Sequence, residues 1–124
     1  MSETNKKTFD DLLNIMRTQA KVFLDEMGEF FPYGSVLTNK QTIETLGLYN
    51  DEKELTVTEG IDILSNDIIK SIQCGDILIG AIGVDVVISN SKESGLMIKA
   101  TDDGIKWHER TYTYQMVNGE CVWK

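Results

Sequence analysis

Apolar residues at Phe9, Leu12, Leu13, Met16, Ala20, Phe23, Met27 and Phe30 recur in steps of mostly three and four and trace one stripe of a helix. Thr8 is placed to cap that helix, with Asp11 three residues on as a variant of the capping box. Asp10 and Asp11 also suit the positive end of the helix. Gly28 marks its end and Pro32 bars continuation. The polar opening, residues 1–7, is expected to fray. The aromatic turn Phe30-Phe31-Pro32-Tyr33-Gly34 leads into a short strand, Gly34 to Thr38. A bend at Asn39-Lys40 and a hairpin partner over Gln41 to Tyr49 follow, then a polar loop from Asn50 to Lys53.

Thr56-Val57-Thr58-Glu59 fits a capping box, and behind it Ile61, Leu64, Ile68 and Ile72 keep helical spacing to a stop at Gly75. This predicts a second helix from about Thr58 to about Gln73. Asp76 to Ile88 carries the strongest strand pattern. Leu78, Ile82, Val84, Val86 and Ile88 fall on one face, and Ile77, Ile79, Ala81 and Val87 on the other, with Gly80 and Gly83 marking close approach or a bend. Asn90 to Gly95 reads as a connection and Leu96 to Ala100 as the next strand. Asp103-Gly104 and Asn118-Gly119 are hairpin signals. A two-residue turn at Asn118-Gly119 sets Met116 against Cys121 and Tyr114 against Trp123, so Tyr112, Tyr114, Met116, Cys121 and Trp123 share a face. At Asp103-Gly104 a two-residue turn would pair Ala100 with Trp107, and a three-residue turn would pair it with Lys106.

The resulting order is α-β-β-α-β-β-β-β: a single α+β domain over residues 8–124, with a mostly antiparallel sheet and both helices packed on one face. At Phe31-Pro32-Tyr33-Gly34 the chain resembles a group of small uncharacterised bacterial proteins that carry a Phe-x-Pro-(Phe/Tyr)-Gly turn after a first helix. The resemblance extends in outline through Gly80 to Val86 and Tyr112-Thr113-Tyr114. It implies no catalytic residue, because that group has no established activity.

Composition narrows the function classes. The chain has 124 residues, enough for one core, with 41% hydrophobic and 26% charged residues, as in ordinary globular proteins. Its formal net charge is −8 and no Lys/Arg cluster exceeds two adjacent residues, so nucleic acid and membrane surfaces are not the expected partners. The opening lacks the apolar core of a signal peptide, and a cytoplasmic location with Cys74 and Cys121 as free thiols is the expectation.

Candidate chemistry is sparse. His108, the only histidine, stands on a predicted strand with no Gly-x-Ser-x-Gly elbow elsewhere, and one histidine with two scattered cysteines does not make a zinc set. Glu59, Asp62 and Asn66 share a helix face that a hard cation or plain solvent would suit. Asp51 to Glu54 lacks the spacing of a calcium loop, and Gly80-Ala81-Ile82-Gly83 lies within a strand rather than opening a helix onto phosphate. No catalytic residue, metal site or cofactor is assigned. The leading expectation is a non-catalytic module binding a protein, in its sharpest form an acidic immunity-type protein neutralising a basic toxin through Glu52, Glu54, Glu59, Asp62 and Asp67. The alternative is a small-ligand binder or enzyme with a pocket between the first helix and the sheet, lipped by Phe31, Tyr33 and Trp107. A third is self-association, such as a homodimer, through an uncovered edge strand.

Overall fold

A computed structural model describes residues 3–46, 56–88 and 93–124, with side chains from Phe9 onward. The α+β class and the element order are those the pattern predicts: α1 (Glu3–Met27), β1 (Tyr33–Thr38), β2 (Ile43–Leu46), α2 (Val57–Gln73), β3 (Ile77–Ile88), β4 (Glu93–Thr101), β5 (His108–Val117) and β6 (Glu120–Trp123). The strands form one antiparallel sheet in the order β2-β1-β3-β4-β5-β6. Positions 47–49 of the expected second strand and the loop from Asn50 to Lys53 lie outside the described residues.

Helix α1 takes in residues 3–7, so Thr8 lies inside it rather than at its cap. Its fully buried positions Leu12, Met16, Ala20 and Leu24 repeat every four residues. That row carries Leu24 inward and turns Met27 out, to 70% exposure. Gly28 ends the helix at φ 77°, its N–H donating to the Leu24 carbonyl at 2.9 Å. Helix α2 starts on the expected capping box: the Glu59 N–H donates to Thr56 Oγ1 and the Thr56 N–H to Glu59 Oε1, both at 3.1 Å.

The helices lie on opposite faces of the sheet, a correction to the expectation that both pack on one. Phe9, Leu12, Leu13, Met16 and Ala20 of α1 pack with Tyr33, Leu37, Ile79, Ala81, Leu96, Ile98 and Ala100. Leu64 and Ile68 of α2 pack with Val36, Ile77, Ile82 and Val84. Adjacent strand residues such as Val36 and Leu37, or Ala81 and Ile82, point to opposite faces. A single covered face could not bury both members of such pairs. The pairing also slips by a residue, with Leu37 opposite Ile79 but Thr38 opposite Ile77. This bulge turns Ile77 to the α2 side and lets Leu78 pack on the α1 side, the reverse of the simple alternation.

The Asn118-Gly119 turn has both residues at positive φ, 53° and 82°, and gives the expected register of Tyr114 with Trp123 and Met116 with Cys121. The β4–β5 connection differs from both expected registers, since Ala100 pairs with His108. Side chains hold this wider loop open. Thr101, 1% exposed, accepts the Gly104 N–H at 2.9 Å and donates to Asp103 Oδ1 at 3.0 Å. Asp103 Oδ1 in turn accepts the N–H groups of Ile105 and Lys106 at 2.8 and 2.9 Å, which lowers the pKa of its carboxyl. Helix α1 covers the tyrosine face of β5 and β6, and α2 covers β3 and β1 on the other side. Thr111, Gln115, Val117 and Val122, on the α2 side of β5 and β6, are exposed.

Candidate functional site

A concave feature among the described residues lies where α1 hands over to β1. The left-handed Gly28 reverses the chain, so that Phe23 and Met27 of the last helical turns face Phe30 and Phe31 of the turn and Tyr33 of the strand. Together with Glu29 they line a cavity of about 220 Å³. Tyr33 forms its floor. The ring is 5% exposed and rests on Gly83, where a methyl group would stand 2.8 Å from ring carbons. The Tyr33 hydroxyl donates to the Met16 carbonyl at 2.6 Å, and burial raises its pKa. Phe23 and Phe30 meet this ring edge-on, with centroids at 5.3 and 5.6 Å and planes at 75° and 78°. Phe31, 42% exposed, stands at the mouth with Met27.

Acidic residues lie at and near this slot. Glu29 lines it, and Glu26 is exposed on the last turn of α1. Further in, Asp85 of β3 accepts the Tyr114 hydroxyl at 2.7 Å. Burial pushes the Asp85 carboxyl pKa up and the nearby Glu29 charge adds to this, while the Tyr114 bond opposes both. Lys21 of the same helix is engaged: it pairs with Asp25 at 2.8 Å and donates to the Cys121 carbonyl at 3.3 Å. Asp25 Oδ1 accepts the Cys121 N–H at 2.6 Å. One turn of α1 thus occupies both backbone groups of Cys121 on the edge strand β6.

The residues singled out from the sequence separate into groups. Phe31 and Tyr33 line the same slot, Phe31 at its mouth and Tyr33 buried at its floor rather than on the expected lip. Trp107 does not join them, a correction, because it packs on the α2 side with Lys99 Nζ 4.8 Å from its ring centroid. The β4–β5 register decides its face, and that register rests on the Thr101 and Asp103 side chains. Glu59 is committed to the α2 cap, while Asp62 and Asp67 are exposed on the same helix. Glu52 and Glu54 lie outside the described residues. His108 is exposed at the start of β5. Cys74 is exposed, and Cys121 is buried with its thiol pKa raised chiefly by that burial. Among the described residues no three His, Cys, Asp or Glu side chains gather as a metal set, and no helix is long and apolar enough to cross a membrane.

Sequence reasoning missed Phe23, Met27 and Glu29 as slot residues, because Phe23 and Met27 keep the spacing of the core stripe. It also missed Arg17. That guanidinium lies 4.5 Å from the Tyr112 ring centroid and 5.1 Å from that of Trp123, with Nε buried and no hydrogen-bond partner among the described residues. No protein-family model, curated protein or solved structure matches the chain.

Proposed function

We propose that this chain is a non-catalytic protein-binding module that docks a basic partner at the aromatic slot closing the C-terminal end of α1. One observation carries the reading: Met27 and Phe31 stay 70% and 42% exposed at the mouth of a cavity whose floor is packed and rigid. An apolar mouth over a preformed aromatic pocket is the form that interface anchors take. The net charge of −8 adds a preference for basic partners and speeds their encounter. Asp62 and Asp67, on the opposite face of the sheet, contribute to that field without touching the slot. Neutralisation of a basic toxin, as an immunity-type protein would do, is the narrower form of this reading and rests on the charge. Self-association through β6 is disfavoured, because Lys21 and Asp25 already hold the Cys121 backbone.

Affinity capture with wild type, Met27→Ser/Phe31→Ser and Asp62→Asn/Asp67→Asn at low and high salt tests this. The slot variant is expected to lose the partner at every salt concentration. The helix variant is expected to slow capture at low salt only. A partner retained equally by the slot variant would show that docking occurs elsewhere.

A further inference from the structure

We propose that the slot takes an alkylated ammonium group, presented by the basic partner as an N-methylated lysine side chain. The source of the group rests on the docking reading above. The preference for its chemistry rests on the slot alone.

The lining decides the chemistry. Four of the six described lining residues are aromatic, and the steep angles of Phe23 and Phe30 to Tyr33 make a box rather than a flat stack. Ring faces attract cations, and a ring box surrounds a spherical cation better than a planar one. Glu29 lines the same space, and its charge reaches Asp85 on the strand beneath. Among the described residues no Lys or Arg lines the slot, and the Lys21 ammonium is tied to Asp25 and Cys121. The described lining is therefore almost wholly apolar, with one acid, Glu29, beside it.

Hydrogen bonding then selects among cations. An unmodified lysine ammonium brings three N–H donors and a tight hydration shell. The described lining offers those donors little: the Tyr33 hydroxyl is committed to the Met16 carbonyl, and among the described residues Glu29 alone lines the slot with a charged acceptor. Burying unmet donors is costly. Arginine brings five donors in a plane and meets the same difficulty. A trimethylated ammonium carries no N–H, is weakly hydrated, and lays methyl groups against the rings while keeping its charge. A neutral group of the same shape would gain the burial but not the attraction to ring faces and Glu29.

The test is a nuclear magnetic resonance titration of the full chain with four probes. These are choline, its neutral isostere 3,3-dimethylbutan-1-ol, and a Lys/Arg-flanked peptide bearing either trimethyllysine or unmodified lysine. Choline is expected to shift the Glu29, Phe31 and Tyr33 signals saturably at millimolar concentration, about three- to tenfold more tightly than the isostere. The trimethyllysine peptide is expected to bind more tightly than choline and than the unmodified peptide. Phe31→Ala and Glu29→Gln should each weaken choline, and Phe31→Tyr should restore it. Phe31 and Glu29 are exposed, so these variants keep the fold, which circular dichroism checks. Equal binding of choline and isostere, or no saturable shift with choline, would overturn the ammonium inference. Choline binding as tightly as the methylated peptide would overturn the partner side chain as its source. Partner capture that still depends on Phe31 while choline fails would leave the docking reading standing, so the two can fail separately.

Discussion

Replacing Gly83 by alanine tests the floor of the slot and the packing account of the fold together. Gly83 is not among the glycines at positive φ, so its backbone accommodates alanine without strain. On conformational grounds alone the change would be neutral or stabilising by about 0.5 to 1 kcal/mol. Packing reverses the sign. The new Cβ would stand 2.8 Å from both Cε1 and Cζ of Tyr33 and 3.0 Å from its Oη. Carbon atoms prefer separations of about 3.5 to 4.0 Å, so the ring must withdraw by roughly 0.7 Å. Withdrawing towards the slot strains the hydroxyl bond to Met16 and disturbs the ring contacts with Phe23 and Phe30. Overpacking of this kind costs about 1–3 kcal/mol, and weakening the hydroxyl bond adds about 1 kcal/mol. The expected loss is therefore about 2–4 kcal/mol, or roughly a 10 °C fall in Tm for a domain of this size. Urea unfolding followed by far-ultraviolet circular dichroism and tryptophan fluorescence measures it. Tyr33→Leu should destabilise the wild type, yet the double variant should lose less than the sum, because the new methyl occupies space the ring has vacated. A Gly83→Ala protein as stable as wild type, or single changes that add within about 0.5 kcal/mol, would refute the reasoning.

Four further outcomes follow from the geometry. Gly80→Ala drives its methyl into Cγ2 of Ile68 and sets it 2.9 Å from Cγ1, and should cost about 2–3 kcal/mol by urea unfolding. Ile68→Val keeps both γ carbons and should not relieve that cost, whereas Ile68→Ala should. Thr56→Ala removes the α2 cap and should cost about 1 kcal/mol in the same assay, with an unchanged stability showing the cap to be idle. Asp25→Ala frees the Cys121 N–H on the β6 edge, and sedimentation velocity should then detect concentration-dependent association; a monomer at every concentration would remove the edge-protection role. Asp85 has a raised pKa in the fold, so its contribution is full below the ordinary carboxylate value of about 3.9 and is lost as pH rises through the raised value. Asp85→Asn keeps an acceptor for Tyr114 and should gain stability relative to wild type as pH climbs above about 4, while parallel profiles would contradict the assignment.

Much of this architecture is written in local pattern. The capping box at Thr56, the left-handed stops at Gly28 and Gly75 and the Asn118-Gly119 register each depend on a few adjacent residues. The sides of the sheet on which the helices lie depend on distant ones, yet β3 carried a legible hint. Gly80 and Gly83 are an odd number of residues apart, so they open opposite faces: Gly80 admits Ile68 of α2, and Gly83 admits Tyr33 beneath α1. Apolar residues on both faces of the same strand agree with cover on both sides. Trp107 was illegible for a different reason. Its face is set by a six-residue loop, Asp102 to Trp107, whose width comes from side-chain bonds at Thr101 and Asp103 that compete with the tight turn Asp103-Gly104 suggests. Phe31 stands at the mouth where a lip is expected, whereas Tyr33 forms the floor, and Met27 reads as core because a helical stripe does not reveal where the sheet beneath it ends.

The slot and the acidic field differ in how they arise, and that difference bears on function. The six described lining residues all fall within one short stretch, Phe23 to Tyr33, and long-range structure supplies the floor support through Gly83 and the Met16 carbonyl. The field is a sum over the whole chain, with acids on both faces of the sheet. A partner approaching within the screening length feels the sum, whereas a partner already seated feels the walls. Changes to distant acids such as Asp62 and Asp67 should therefore alter the association rate and its salt dependence. Changes to Phe31 or Met27 should alter the dissociation rate, where most affinity differences within one interface reside. A slot variant whose lost affinity lay wholly in a slower association would separate the aromatic pocket from the bound complex and make charge alone the basis of recognition.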